Sequence, residues 1–155
     1  RHRLGKVANR EEISVVPLSP EYIAGFFDGE GCILIKRLIQ RNTSVSHTLR
    51  ITISQVNPLV LEQIFAQYGG NLNQYKPKKG RAIFRWQLDC EKAARFLADI
   101  LPYLQNKKAE AELALNFQAS KIRSQYRPRL DLAEIQRRDD IKGKLSAMKW
   151  VDWVQ

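Results

Sequence analysis

Cysteine, methionine and histidine are scarce in this chain of 155 residues, which has two, one and two of them. Cys32 and Cys90 are too few for a disulfide framework and show no zinc-ligand spacing, so the sequence reads as that of a reduced, intracellular protein. No apolar run approaches the roughly 18 residues that a membrane-spanning helix requires. Residues 1–12 contain no apolar stretch of the signal-peptide kind. Hydrophobic residues at 44% and charged residues at 27% exclude a disordered tail or a collagen-like chain and leave an ordinary globular domain.

Acidic residues are the most informative absence. Between Gly31 and Leu88 the only acid is Glu62, against nine Lys and Arg. Of the net charge of +10, this 58-residue stretch holds +8 and the other 97 residues +2. Solvated charged faces usually mix signs, whereas a surface that tracks phosphates excludes carboxylates because they repel it. The asymmetry points to a nucleic-acid partner.

Ser19-Pro20-Glu21 opens the first clear helix, with a capping hydroxyl, a proline at the first helical position and an acid at the positive end of the dipole. It should reach about Asp28 and stop in Gly29-Glu30-Gly31. Two strands follow, Cys32–Gln40 and Ser46–Ser54 with Gln55 closing it; in the second, Leu49, Ile51 and Ile53 alternate with Thr48, Arg50 and Thr52. Asn57-Pro58 starts a second helix, with Leu61, Ile64, Phe65 and Tyr68 as its buried stripe and Gly69-Gly70 as its end. Asn71–Tyr75 and Arg81–Leu88 make a second pair of strands, with Phe84, Trp86 and Leu88 on the core side. Asp89 is placed to cap a third helix with Ala93, Phe96, Leu97 and Ile100 inward. Asn106 is placed to cap a fourth, from about Lys107 to Gln125, with Ala109, Leu113, Leu115, Phe117 and Ile122 on its apolar side and Pro128 beyond it. Asp131–Trp150 reads as a further helical stretch broken near Gly143.

The expected fold is therefore α+β, with a curved four-stranded antiparallel sheet, helices on one face and polar and basic side chains on the other. Residues 1–18 form an N-terminal extension, 19–126 a core domain and 127–155 a C-terminal helical appendage. Such strands can lie in the major groove, with alternate side chains reaching base edges and phosphates.

Ile23-Ala24-Gly25-Phe26-Phe27-Asp28-Gly29-Glu30-Gly31 carries the chemistry. Gly25 and Gly29 are four apart and share a helix face that admits a second backbone; Ala24 and Asp28 adjoin that strip. A mid-helix glycine costs about 1 kcal/mol against alanine, so tight packing is its natural compensation. The segment resembles the LAGLIDADG motif of homing endonucleases. Ala24, Gly25, Asp28 and Gly31 match it, apolar residues replace apolar ones at Ile23, Phe26 and Phe27, Gly29 replaces alanine, and Glu30 stands for the final aspartate. The order of elements is similar to the αββαββα core of that family across Ser19–Gln125.

The resemblance implies that two motif helices pack side by side and that their final acids meet over the minor groove to hold divalent metal. Only one copy of the motif is present, since Asp89–Leu101 lacks a comparable glycine pair and terminal acid. A homodimer cutting a long pseudo-palindromic double-stranded DNA site is the expected form, with Ala24, Gly25, Asp28 and Gly29 at the dimer interface. Glu30 would be the catalytic acid and metal ligand, with the Gly29 carbonyl as a further oxygen donor for Mg²⁺ and Mn²⁺ or Ca²⁺ as alternative occupants. Gln55 and Lys107 match the polar strand-end and basic positions of the family's catalytic set, with Lys108 as a substitute for Lys107. Asp28 reads as a structural, helix-end residue in preference to a catalytic one.

The outward strand residues Lys36, Ser46, Thr48, Arg50, Thr52, Asn73, Tyr75, Arg81, Arg85 and Gln87 are candidates for base readout, and Lys76, Lys78 and Lys79 for phosphates. His47, beside a hairpin loop, reads as exposed or DNA-contacting. Trp86 reads as core, Trp150 and Trp153 are open between roles, and Arg127–Lys149 is either a solvated helix pair or a phosphate clamp. By the same resemblance the chain is encoded in a mobile intron and works in a prokaryotic cytoplasm or an organelle. An intron maturase that binds RNA without cutting DNA, or a DNA-binding regulator on the same fold, are the alternatives.

Overall fold

The computed structural model of the chain describes residues 16–121 and 130–150. Ile122, the expected helix end at Gln125, Arg127, Pro128, Trp153 and most of the 1–18 extension lie outside the described residues. Among the described residues ten elements follow one another: α1 (Pro20–Glu30), β1 (Gly31–Ile39), β2 (Val45–Gln55), α2 (Leu59–Tyr68), β3 (Asn71–Tyr75), β4 (Ile83–Asp89), α3 (Cys90–Ile100), a 3₁₀ turn (Leu101–Tyr103), α4 (Lys108–Ala119) and α5 (Leu132–Met148). The four strands form one antiparallel sheet in the order β1-β2-β4-β3, so β2 and β4 are central and join the two hairpins.

Alternation along the strands decides what is buried. Ile33, Ile35, Leu49, Ile51, Ile53, Trp86 and Leu88 turn to one face and pack under α1 and α3. Phe96 sits at the centre of this layer, edge-on to Phe27, Tyr68 and Trp86 with ring centroids 5.5, 5.0 and 5.0 Å away. The Trp86 indole N–H donates to the Gly69 carbonyl at 2.8 Å and so pins the end of α2 to the sheet. Ser19 caps α1 as its sequence requires, its hydroxyl accepting the Tyr22 N–H at 3.2 Å.

Several sequence expectations are corrected. Asp89 precedes α3 but makes no side-chain cap, and α4 begins after Lys107 with no side-chain cap from Asn106. Phe65 faces solvent at 40% exposure. In α4 the inward residues are Glu110, Ala111, Ala114, Phe117 and Gln118; Ala109 is exposed, and Leu113 and Leu115 are only partly covered. The α5 helix runs unbroken through Gly143, capped by the Asp131 carboxylate, which accepts the Glu134 N–H at 2.8 Å. It packs on α4 and on the edge strand β1. Among the described residues no helix is long and apolar enough to cross a membrane.

Candidate active site and nucleic-acid interface

Helix α1 hands over to β1 without a loop. Gly31 leaves the helical conformation, and a Cβ there would lie 2.3–2.6 Å from the buried Phe27 ring, so only glycine allows the turn. Glu30 is thereby left exposed at the end of the helix, and its carboxylate makes no hydrogen bond or ion pair among the described residues. Gly25 and Gly29 lie on the outer side of α1, with open space where a Cβ would stand. Ala24 does not belong to that strip, because it has no exposure and packs in the core of the chain itself.

Asp28 organises the neighbouring turn. Its carboxylate accepts the backbone N–H groups of Gln105, Asn106 and Lys107 at 2.7, 3.2 and 2.9 Å. The Lys107 ammonium in return donates to the Asp28 backbone carbonyl. A charged acceptor thus satisfies the free donors where α4 begins, the task the sequence assigned to Asn106. Lys107 is held two residues from Glu30. Gln55 comes to the same end of the sheet, since Gly31 pairs with Ile53. Gln55 itself pairs with Phe84, on the core-side parity of β2. Glu30, Gln55 and Lys107 are therefore brought to one end of the molecule, while Lys108 is exposed on the first turn of α4.

One turn beyond Lys107 lies a residue that sequence reasoning missed. Glu110 is nearly buried, and one of its oxygens has no partner. Burial pushes its carboxyl above the usual range, against the opposing charges of Lys149 and Lys107. Lys149, at the end of α5, donates to the Ile33 carbonyl on the edge strand and to Cys32 Sγ.

Among the described residues no group of three His, Cys, Asp or Glu side chains is arranged to hold a metal. The donors at the α1 terminus are one exposed carboxylate, Glu30, beside the exposed Gly29. Hard oxygen donors suit Mg²⁺ or Ca²⁺. The residues fit such an ion to the extent of one exposed carboxylate from each chain.

On the open face of the sheet the register sets cross-strand neighbours: Lys36 with Thr48, Arg50 with Asp89, Thr52 with Gln87, Ser54 with Arg85, and Asn73 with Arg85. Leu38 and Ser46 extend this face toward the loop, and Tyr75 is 65% exposed at the far edge. Arg85 donates to the Ser54 hydroxyl at 3.2 Å. Lys76, Lys78, Lys79 and Arg81 are exposed in the connection between β3 and β4; Arg81 precedes the strand instead of belonging to it. Arg50 is not a free reader, because Asp89 binds it through both carboxylate oxygens at 2.8 and 2.9 Å.

The sheet's other end departs furthest from the sequence reading. His47 is buried on the core side at 2% exposure, and its Nε2 meets Asp139 Oδ1 of α5 at 2.7 Å. A carboxylate only accepts, so that ring nitrogen carries the proton. Arg37 joins the same oxygen at 3.1 Å. Arg37, which stands across from His47 on the core-side parity, is therefore neutralised against α5, and His47 is a tie between sheet and helix.

Comparison with known proteins agrees with this architecture. A model of the LAGLIDADG endonuclease family matches residues 23–124. No curated protein matches the chain by sequence. Among solved structures, the homing endonuclease I-CvuI in complex with the I-CreI target is 19% identical with a TM-score of 0.68, covering 88% of this chain and 85% of that one. An archaeal intron-encoded homing endonuclease, I-Vdi141I, complexed with DNA, is 20% identical with a TM-score of 0.69, covering 88% and 87%. The homing endonuclease I-TnaI is 15% identical with a TM-score of 0.52, covering 85% and 83%. At these identities the likenesses establish the shared fold, and the family model, spanning about two thirds of the sequence, establishes the lineage: the chain belongs to the LAGLIDADG endonuclease family.

Proposed function

We propose that the protein is a site-specific, Mg²⁺-dependent DNA endonuclease that works as a homodimer on a long pseudo-palindromic site. The observation that carries this reading is the exposed, unpartnered Glu30 at the end of the motif helix, with Lys107 tied to Asp28 of the same helix. Each chain contributes one such carboxylate, and the outer strip of Gly25 and Gly29, open at both positions, lets a second α1 approach until two carboxylates face one another.

Glu30 and the Gly29 carbonyl would hold the ion. When bound, a divalent ion polarises the scissile phosphate and lowers the pKa of a coordinated water. Lys107 brings positive charge to the phosphate from a fixed position, since its backbone and its ammonium are both tied to Asp28. The Gln55 amide, with a donor and an acceptor, orients water at the strand end. The open sheet face and the lysines of the β3–β4 connection follow the duplex on either side. The intron-encoded setting and the DNA targets of the solved relatives are consistent with this activity.

The test is selection of cut duplexes from a randomised DNA library with Mg²⁺, followed by the Glu30→Gln variant on the recovered site. The variant is expected to lose double-strand cleavage while it still dimerises and binds that site. Cleavage at the wild-type rate would overturn the assignment of Glu30. Binding to structured intron RNA with no duplex recovered would favour the maturase reading.

A further inference from the structure

The open sheet face carries one acid, and it lies just past the end of the acid-free stretch. Asp89 is the last residue of β4 and stands directly across from Arg50 on β2, in the middle of the sheet. A carboxylate there repels a phosphate, so on a surface serving only to track the backbone it is a defect. Its geometry indicates a use. Arg50 Nε donates to Asp89 Oδ1 at 2.8 Å and Nη2 to Oδ2 at 2.9 Å, a fork-to-fork pair. The Gln87 amide leans toward the same two oxygens at 3.4 and 3.3 Å. The pair is half-open to solvent, at 23% and 35% exposure.

A guanidinium has five N–H donors. Asp89 consumes one on Nε and one on Nη2, which leaves the two on Nη1 and one on Nη2. Those remaining on the Nη1–Nη2 edge are parallel, the pattern that matches O6 and N7 of guanine in the major groove. An arginine so clamped has already lost its rotamer freedom before DNA arrives. We infer that Arg50 reads a guanine at one position of each DNA half-site, and that Asp89 is the positioning residue that confers this preference. The inference rests on the endonuclease reading above and adds to it a base identity and the pair of residues that sets it.

An ordinary cross-strand ion pair is the competing account. It predicts a small loss of stability on breaking the pair and no change in base preference. Arg85 on the same face supplies the internal control, since its Nε is held by the neutral Ser54 hydroxyl and keeps more of its donors free.

The experiment uses the full-length protein, a randomised duplex library with Ca²⁺ to read binding and with Mg²⁺ to read cutting, and the variants Asp89→Asn and Arg50→Lys. Wild type is expected to enrich guanine at one position per half-site, by roughly ten-fold or more over the other bases. Asp89→Asn is expected to flatten that position alone and to raise affinity for unrelated duplex, since a negative charge has left the face. Arg50→Lys, which keeps the charge but not the fork, is expected to flatten the same position. Thermal unfolding of both variants identifies loss of folding as such. A base profile unchanged in folded Asp89→Asn, with affinity altered evenly at all positions, overturns this inference and leaves the endonuclease reading standing. Failure of wild type to enrich any duplex overturns both.

Discussion

Asp28 and Asp139 each tie together elements far apart in sequence, at opposite ends of the sheet, and they do so in different ways. Asp28 accepts three backbone N–H groups of the turn that leads into α4. Asp139 accepts two side chains, His47 and Arg37, which fasten α5 to β1 and β2. The first arrangement fixes a piece of backbone and ties the Lys107 ammonium to the Asp28 carbonyl, two positions before Glu30. The second consumes positive charge in order to hold a helix. An aspartate on backbone donors fixes a turn, whereas one on cationic side chains builds a joint.

Substitution at the two positions separates these roles, with the larger effect at the first. Asp28→Ala removes a charged acceptor from three donors and is expected to cost about 2–3 kcal/mol. Cleavage should fall further than stability accounts for, because Lys107 loses its frame. Urea denaturation together with single-turnover cleavage at a temperature where the variant is folded measures both, and full activity in a folded Asp28→Ala protein would break the comparison. Asp139→Asn keeps an oxygen for the His47 N–H but loses the charge, and about 1 kcal/mol of stability is expected to go with it. Its cleavage rate should stay at the wild-type level.

Acidification gives the smallest and most selective effect. The hydrogen bond from His47 and then the Arg37 charge hold the Asp139 carboxyl below the ordinary aspartate range. In α5 the Arg137 hydrogen bond, with help from Arg138, lowers Glu134 from 4.5 to about 2. Carboxyls with a lowered folded-state pKa stabilise the fold fully above their unfolded values and cease to do so as pH falls through the folded ones. The α5 helix itself is therefore expected to weaken, through Glu134, from about pH 4.5 downward toward 2, and its attachment through Asp139 to weaken in the same direction as pH falls. Hydrogen exchange in α5 and β1 against pH measures it, and a loss of protection confined to pH above 6 would contradict it.

Much of this architecture is legible in the residues themselves. Alternation placed Trp86, Leu49, Ile51 and Ile53 inward, Ser19-Pro20 marked the start of α1, and the nonapeptide ending at Gly31 located Glu30. The misreadings have a common cause. Parity along a strand tells which face a residue takes but not what stands across from it, so the partner of Arg50 stayed hidden and Asp89 passed for a helix cap. His47 lies at a core-facing position near a loop, where only the presence of α5, with Asp139 some ninety residues later, makes burial of an imidazole tolerable. Phe65 follows the helical period yet faces solvent, because the period does not say how wide the covered stripe is.

By itself the sequence determined the alternation of strands, the capped motif helix with its terminal acid, and the +8 concentrated in two hairpins. These depend on neighbours within a few residues, where propensity and periodicity act. Only the tertiary structure decided how that charge is spent. Arg37 is neutralised at the α5 joint, Arg50 is clamped on the open face, and Lys107 is fixed against Asp28. Each of these pairings joins residues 39 to 102 positions apart, and a charge is free or bound according to the partner that folding brings within about 3 Å of it.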